Sequence, residues 1–318
     1  MDTGSFVISL DLEKYWGMRD KKSITEYEQN LANVNLVTEN TLLLFNKNNI
    51  RATWAVVGFL FFENFDQLRS FSPKKRPSYE NYELNPYIYI DGLSIDQRSD
   101  LYHFAREPIR KIIGAQGQEL GTHTFSHLYF LENGVSKEAS MADLSAAIKL
   151  NKDLGLTTDS IIFPRNQYND DTLELLKSVN IKVYRGNEHS WLYRPSRNDE
   201  QSKLRRALRL IDAALNISGH HTYKPKKEDG LINVPSSRFL RPITGIKAFD
   251  QMHMQRIKKS MTVAAKQKKV FHLWWHPHNF GKNIEHSFER LDVILNHYQW
   301  LHNKYGFASR NMGDFVSI

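Results

Sequence analysis

Short apolar runs alternate with longer amphipathic stretches along most of the chain, and the two patterns predict different elements. Runs rich in β-branched or aromatic residues predict strands at 6–13, 50–58, 118–124, 160–166, 181–186, 231–237 and 270–278. Apolar residues at helical spacing predict helices at 30–47, 136–155, 170–179, 202–215, 250–269 and 285–306. Strands that alternate with helices are typical of βα units, so the predicted class is α/β with a parallel sheet or barrel.

Two connections are too long to be simple turns. Residues 63–117 are rich in Tyr and Pro, and residues 187–230 contain a basic helix. Long connections in a compact domain are usually functional or disordered, and the aromatic residues of the first favour an ordered lid or a sugar-stacking wall. The predicted organisation is a single domain over 1–318, with these segments as inserted loops and a C-terminal helix at 285–306.

Basic residues concentrate at 203–210 and 255–269, in a chain whose formal net charge is +8. One interpretation is two amphipathic helices with solvated basic faces. The other is attraction to an anionic partner, such as a sugar nucleotide, a lipid diphosphate carrier or an acidic saccharide. No familiar nucleic-acid-binding motif accompanies the charge, so nucleic acid is not an expected partner.

The chain has no pattern typical of a membrane span or of export. Its longest apolar run, at 52–62, is shorter than the about 20 residues that a transmembrane helix needs. The first strand is not preceded by a basic start with an apolar core, and the chain contains no cysteine. These features predict a cytoplasmic location without a transmembrane segment, and leave peripheral contact with an anionic lipid carrier open.

The first predicted strand, FVISLDLE, ends in two carboxylates. Alternate residues of a strand share a face, so Val7, Ser9, Asp11 and Glu13 fall on one side. The Cα atoms of Asp11 and Glu13 are then roughly 6.5–7 Å apart, close enough for one small ion or water to contact both side chains. The alternative is a solvent-exposed strand end with two salt-bridging acids.

The segment HTFSH places His123 and His127 four positions apart, just after another predicted strand. If the chain turns helical there, both imidazoles share a face and can reach one metal ion. Two histidines and one carboxylate form a familiar metal-binding set that leaves coordination positions open for water.

The segment HLWWHPHNF places His272, His276 and His278 on one strand face, and Pro277 predicts that the strand stops near His276. We interpret His272 as a core histidine. His276 is placed for proton transfer at the mouth of the strand, and His278 is the alternative.

The segment FPRNQYND places Arg165 at the end of another predicted strand. An arginine there can hold a carboxylate through two hydrogen bonds and keep it ionised, although a surface salt bridge is the simpler interpretation. The amide groups of Asn166 and Gln167 follow, and are predicted to line a polar pocket.

Taken in order, these segments resemble the polysaccharide deacetylase family, the NodB-homology group of carbohydrate esterases. HTFSH matches the family's His-Ser/Thr-x-x-His motif, and SLDLE stands where the family has Thr-Phe-Asp-Asp-Gly. RATWAVVG is similar to the family's Ala-Thr-Phe-Phe-Val segment, and HLWWH to its late Leu-x-His motif. The resemblance spans roughly residues 5–280.

The resemblance implies a distorted (β/α) barrel of about seven parallel strands and one divalent metal ion, usually Zn²⁺. Asp11 would be the general base, and Glu13, His123 and His127 the metal ligands. Arg165 would orient Asp11, and His276 would protonate the leaving amine. Trp191 would correspond to the tryptophan that packs beside the catalytic histidine. The predicted substrate-binding residues are Asn166, Gln167, Trp191, Arg238 and His278.

The implied activity is metal-dependent removal of an N-acyl group, in the first place N-acetyl, from a sugar in surface-polysaccharide or glycan-precursor metabolism. Two departures stand out: the acidic pair is Asp-x-Glu, and FPRNQ replaces Arg-x-Pro-Tyr, so the motif no longer identifies the backbone oxyanion donor. The metal ion is expected to hold the oxyanion, with a backbone N–H near Asn166 as a further candidate. The alternatives are hydrolysis of another C–N bond, in a formamide or a cyclic amide, and a catalytically inactive sugar-binding relative.

Overall fold

A computed structural model describes residues 3–93, 100–197, 200 and 202–317 of the chain. The strands are β1 Ser5–Leu12, β2 Ala52–Val56, β3 Gln118–Thr122, β4 Ser160–Ile161, β5 Val183–Tyr184, β6 Lys226–Glu228, β7 Leu231–Asn233, β8 Arg238–Phe239, β9 Val270–Trp275 and β10 Ala308–Arg310. The helices are α1 Ile24–Ala32, α2 Val34–Lys47, α3 Phe65–Phe71, α4 Pro86–Gly92, α5 Asp100–His103, α6 Arg106–Gly114, α7 Lys137–Asp153, α8 Asp170–Ser178, α9 Lys203–Ala214, α10 Lys247–Lys266 and α11 Ile284–Tyr305.

The strands form one curled, mostly parallel sheet in the order β6-β7-β5-β4-β3-β2-β1-β9-β8, with β10 beside β1. Only the β6–β7 pair is antiparallel in the described sheet. The segment that runs from β7 into β8 joins the two ends, since the Val234 N–H donates to the Tyr184 carbonyl (3.0 Å) and the Ser237 N–H to the His272 carbonyl (2.8 Å). The predicted α/β barrel is confirmed.

Strand β1 lies between β2 and β9 in this sheet and is buried along its whole length. On its outer face, Phe6, Ile8, Leu10 and Leu12 belong to the main hydrophobic cluster, which includes residues of α2 and α11. On its inner face, Val7 packs in a smaller apolar cluster inside the barrel. Ser9 and Asp11 follow Val7 on that face towards the carboxyl end of the strand. The barrel interior therefore changes from apolar to polar between the amino and the carboxyl end of β1.

The segment 63–117 contains α3, α4, α5 and α6, which the hydrophobic pattern did not predict. Asn64 and Asn85 cap α3 and α4, because their side chains accept hydrogen bonds from backbone N–H groups of the first turn. Phe65, Phe104 and Ile109 from this segment are part of the main hydrophobic cluster. Several of its aromatic residues therefore belong to the core. No described helix of the chain is long and apolar enough to cross a membrane.

Candidate active site

The carboxyl end of β1 carries two buried carboxylates. Asp11 and Glu13 are only 2% and 4% exposed, so the interpretation as a solvated strand end is wrong. A buried carboxylate is costly unless cations or hydrogen-bond donors surround it. The two carboxylates have different sets of partners.

Asp11 is held by Arg185, the residue that directly follows β5. The guanidinium donates from Nη1 to Oδ1 (2.7 Å) and from Nη2 to Oδ2 (2.8 Å). Nη1 also donates to the Ser9 hydroxyl (3.0 Å), Nη2 donates to Asn166 Oδ1 (3.0 Å), and the group lies 4.2 Å from the centre of the Trp274 ring. Burial raises the pKa of Asp11, but the attraction of Arg185 outweighs it and leaves the pKa below its usual value.

Arg165 does not make the predicted contact with Asp11. It pairs with Asp20 and its guanidinium lies 4.0 Å from the centre of the Tyr129 ring. Arg165 lies in a short 3₁₀ turn and has a positive φ of 55°. Arg185 also lies near the end of a predicted strand, at 181–186. The position at a strand end, from which we predicted Arg165 as the partner of Asp11, therefore applied equally to Arg185.

Glu13 contacts the two histidines of HTFSH. Its Oε2 lies 2.9 Å from Nε2 of His127 and 3.4 Å from Nε2 of His123. Nδ1 of His123 lies 2.8 Å from the Ile162 carbonyl, which can only accept a hydrogen bond, so Nδ1 carries the proton and Nε2 presents a lone pair. The lone pairs of Nε2 and of the carboxylate then face each other, an arrangement that favours a cation between them.

The two histidines meet through a turn and not through the predicted helix. Thr124 and His127 have positive φ values of 65° and 58°. Asp143 of α7 holds the turn, because its carboxylate accepts hydrogen bonds from the backbone N–H groups of Phe125 (2.8 Å) and Ser126 (3.1 Å) and from the Ser126 hydroxyl. Burial raises the pKa of Asp143 to about 6.

Protonation states in this cluster suit metal binding. Burial raises the pKa of Glu13, but the neighbouring His276, His123 and His127 outweigh it and hold this pKa well below the usual value. Burial lowers the pKa of His127 to about 4, against the opposing attraction of Glu13. At neutral pH the cluster therefore offers an ionised carboxylate and a neutral imidazole, the forms that bind a divalent cation. Glu13, His123 and His127 have donor atoms within 4.8 Å of one another.

Two further histidines approach Glu13 from the turn that follows β9. Nε2 of His276 lies 3.6 Å from Glu13 Oε1 and 3.8 Å from Asp11 Oδ2, and Nε2 of His278 lies 3.9 Å from Glu13 Oε1. The two imidazoles stack with their centres 5.1 Å apart. The His276 side chain is 22% exposed. The His278 side chain is buried, and this burial lowers its pKa to about 3. Glu13, His276 and His278 form a second candidate metal set.

His272 is a core histidine, as interpreted from the sequence. It is fully buried, with Nδ1 3.1 Å from the Val234 carbonyl and Nε2 2.8 Å from the Ser9 hydroxyl. Since the carbonyl takes the Nδ1 proton, Nε2 accepts from Ser9. Ser9 is thereby fixed beneath Arg185.

Three of the predicted substrate-binding residues have other surroundings in this structure, and their role stays a prediction. Gln167 is fully buried and donates to Glu132 (2.7 Å). Arg238 is also buried and forms an ion pair with Asp212 (2.9 Å). Trp191 is 58% exposed and is not among the rings that contact the catalytic histidine candidate.

The aromatic neighbours of His276 in the described chain are Trp274 and Phe239, whose ring centres each lie 5.6 Å from that of His276. Asn166 does lie at the site, next to Arg185. Its backbone N–H donates to the Phe163 carbonyl (2.8 Å), however, so this N–H is not an available oxyanion donor.

Residues 29–184 match the family model described as polysaccharide deacetylase. This range includes HTFSH and Asn166 but neither Asp11, Glu13, Arg185 nor His276. No curated protein matches the chain.

Solved structures share the fold at low sequence identity. A candidate polysaccharide deacetylase from Mycobacterium smegmatis is 13% identical, with 99% of this chain and 90% of that chain covered and a TM-score of 0.60. One from Pseudomonas aeruginosa PAO1 is 11% identical, with 98% and 89% covered and a TM-score of 0.57. A GH57 branching enzyme from Thermococcus kodakaraensis, solved with glucose, is 12% identical, with 99% and 71% covered and a TM-score of 0.56.

Proposed function

The chain contains a polysaccharide deacetylase domain over residues 29–184, and from this premise we propose that it is a metal-dependent hydrolase that removes an N-acetyl or other N-acyl group from a sugar. One observation carries the proposal. Two buried carboxylates at the carboxyl end of a barrel strand have separate partners: Arg185 for Asp11, and His123 and His127 for Glu13. Barrel enzymes commonly place their active sites at this end of the strands.

Glu13, His123 and His127 are the residues that would hold the metal ion, with Zn²⁺ the best match to a set of two imidazoles and a carboxylate. A divalent ion bound there polarises the amide carbonyl and lowers the pKa of bound water. The hydrogen bond from His123 Nδ1 to the Ile162 carbonyl orients one ligand, as outer contacts of metal-binding histidines usually do.

Asp11 is the group that takes the proton from the attacking water. Arg185 occupies both carboxylate oxygens in the plane of the guanidinium, which fixes the orientation of Asp11 and keeps it ionised. This arrangement leaves the remaining lone pairs of Oδ1 and Oδ2 to accept a proton.

His276, in its protonated imidazolium form, is the group that gives a proton to the departing amine and thereby becomes a neutral imidazole. Tyr27 donates to Asn279 Oδ1 (3.2 Å), which turns the Asn279 amide nitrogen towards His276 Nδ1 (3.3 Å). Nε2 is the ring atom that faces both carboxylates, and on the imidazolium it carries the proton that is transferred. His276 is also more exposed than His278, which suits proton exchange with water.

The test is acetate release from N-acetylated sugars by the purified chain with added Zn²⁺, with the metal content measured by elemental analysis. We expect one ion per chain and turnover that chelation abolishes. Glu13→Gln is expected to lose both the ion and turnover, whereas Glu107→Gln, a matched change on the outer helix α6, keeps both. Formate release without acetate release would replace deacetylation by deformylation. A chain that binds no metal and hydrolyses no amide would refute the proposed function.

A further inference from the structure

A cavity of about 180 Å³ lies directly beside the proposed catalytic groups. Trp274 and Phe239 form part of its wall, and both rings also contact His276 at 5.6 Å. Asn166 lines the cavity as well and binds Arg185. Residues of the cavity wall therefore contact Arg185 and His276, the two side chains that lie next to Asp11.

The charged residues that line this cavity are mostly cationic. They are Arg165, Arg194, Arg209 and Arg241, with Glu188 as the acidic residue. Asp20 neutralises Arg165, but in the described part of the chain neither Arg194 nor Arg241 forms an ion pair with a carboxylate. Burial raises the pKa of Glu188. The cavity thus has an excess of positive charge.

Two of the arginines, Arg209 and Arg241, are held in place by backbone contacts of their guanidinium groups. Nε of Arg209 donates to the Leu192 carbonyl (2.6 Å), and Arg241 donates to the Arg209 carbonyl (3.4 Å). Burial lowers the pKa of Arg209 and of Arg241, and neighbouring guanidinium groups lower both further. Arg205 donates to the Arg194 carbonyl (2.7 Å), which fixes the loop on the other side of the cavity. The wall is therefore preorganised for an anion.

We propose that the substrate carries a phosphate or carboxylate group next to the N-acylated sugar, and that the arginine-lined cavity binds this group while the amide lies at Asp11. This inference rests on the proposed function and adds the substrate class. Arginine is the side chain that best binds phosphate and carboxylate through paired hydrogen bonds. A volume of about 180 Å³ fits one charged substituent or one sugar unit, and is below the about 300 Å³ of drug-sized sites.

The experiment compares kcat/KM for four substrates: di-N-acetylchitobiose, N-acetylglucosamine 1-phosphate, N-acetylglucosamine 6-phosphate and N-acetylmuramic acid. We expect at least one anionic substrate to exceed the neutral disaccharide by about tenfold or more, as charge-assisted hydrogen bonds predict. The two phosphates and the carboxylate separate the two sources of the negative charge. Inorganic phosphate is expected to inhibit the unmodified enzyme competitively against the preferred substrate.

The variant to test is the double substitution Arg194→Gln/Arg241→Gln, which should lower the ratio of anionic to neutral kcat/KM towards one. Lys47→Gln/Lys266→Gln is the matched control, because both lysines are exposed at the ends of α2 and α10, before the amino ends of β2 and β9. This control removes the same charge and should leave the ratio unchanged.

Failure of this inference and failure of the proposed function give different results. If the neutral disaccharide is hydrolysed as well as the anionic sugars, and phosphate does not inhibit, the charged-substrate inference is wrong and deacetylation stands. If no amide is hydrolysed but calorimetry detects sugar phosphate binding that the double variant loses, the anion site stands and the proposed function is wrong. If the double variant does not fold, inhibition of the unmodified enzyme by inorganic phosphate tests the inference instead: competitive inhibition supports the anion site, and its absence contradicts it.

Discussion

Arg185 holds both carboxylate oxygens of Asp11, at 2.7 and 2.8 Å, across the interior of the barrel. The arginine follows β5 and the aspartate lies near the end of β1, so the contact joins residues 174 positions apart. Both side chains are almost fully buried, at 1% and 2% exposure. The pair therefore depends on the closure of the sheet, and its loss leaves an uncompensated buried charge.

Arg185→Met is expected to reduce the free energy of unfolding by about 3–5 kcal/mol, the usual cost of removing one partner of a buried ion pair. It also removes the cation that lowers the pKa of Asp11, so the acid limb of the pH–rate profile should move to higher pH. Urea unfolding and kcat at several pH values measure the two effects. Arg165→Met is the comparison, because Arg165 pairs with Asp20 and should not move that limb.

Asp11→Asn and Glu13→Gln should separate proton transfer from metal binding. The first variant is expected to keep the metal ion and lose at least about 100-fold in kcat, because general base catalysis contributes about 10²–10⁴-fold. The second should lose the ion itself. Elemental analysis and acetate release on the same samples give the comparison. If Asp11→Asn loses the ion while Glu13→Gln keeps it, the two roles are exchanged.

Gly17→Ala should disturb the metal site without changing a ligand. A Cβ atom at Gly17 would fall 2.1 Å from Cδ of Glu13, so the Glu13 side chain must leave its position between the histidines. The displaced atoms belong to a side chain, and the fold should therefore persist. Circular dichroism is expected to be unchanged while zinc affinity falls by about tenfold or more, as for other changes around metal ligands. Gly92→Ala is the control, because a Cβ atom at Gly92 meets open space. Gly155→Ala is unsuitable, because Gly155 has a positive φ of 73°.

Asp143→Ala should loosen the turn that presents His123 and His127. The substitution removes the acceptor for two backbone N–H groups and one hydroxyl, all buried, which is expected to cost about 2–4 kcal/mol of stability. Zinc affinity should fall by about 10–100-fold, because the turn orients both ligands. Asp153→Ala, on the exposed end of the same helix, is the control for α7. Unchanged zinc affinity in Asp143→Ala would show that the turn keeps its shape without this carboxylate.

The metal-free protein should lose stability as the pH falls from about 6.5 towards 4. In the folded protein, burial lowers the pKa of His127 to about 4 and that of His278 to about 3. The unfolded chain takes up these protons near pH 6.5, so below that pH it binds more protons than the folded chain and is favoured. Each such histidine contributes up to about 1.4 kcal/mol per pH unit. The lowered pKa of Glu13 acts in the same direction below about pH 4.5.

Urea unfolding between pH 7 and pH 4 measures this slope. His278→Gln should reduce it, because glutamine does not titrate. A flat profile in the unmodified chain would mean that these histidines stay accessible to protons in the folded state. Added zinc should raise stability most at neutral pH, where its ligands are deprotonated.

The local pattern of hydrophobic and polar residues determined the alternation of strands and helices, and it placed two carboxylates of the site on one face of β1. Alternation along β1 placed Asp11 and Glu13 on the same side, and the repeat of strands and helices predicted the α/β barrel. These features depend on residues two to four positions apart, where backbone geometry alone decides which side chains point together. The helices of the segment 63–117 were missed because buried aromatic residues and asparagine caps, not amphipathic spacing, define them.

Tertiary structure decided which distant groups meet. Arg165 and Arg185 both lie at the ends of predicted strands, yet only Arg185 reaches Asp11, whereas Arg165, in the turn after β4, pairs with Asp20. Likewise, His123 and His127 converge through a turn held by Asp143, a residue that carries no motif. Strand order and turn geometry depend on contacts between segments far apart in the chain, so the sequence identified the chemical groups, and the closed sheet selected their partners.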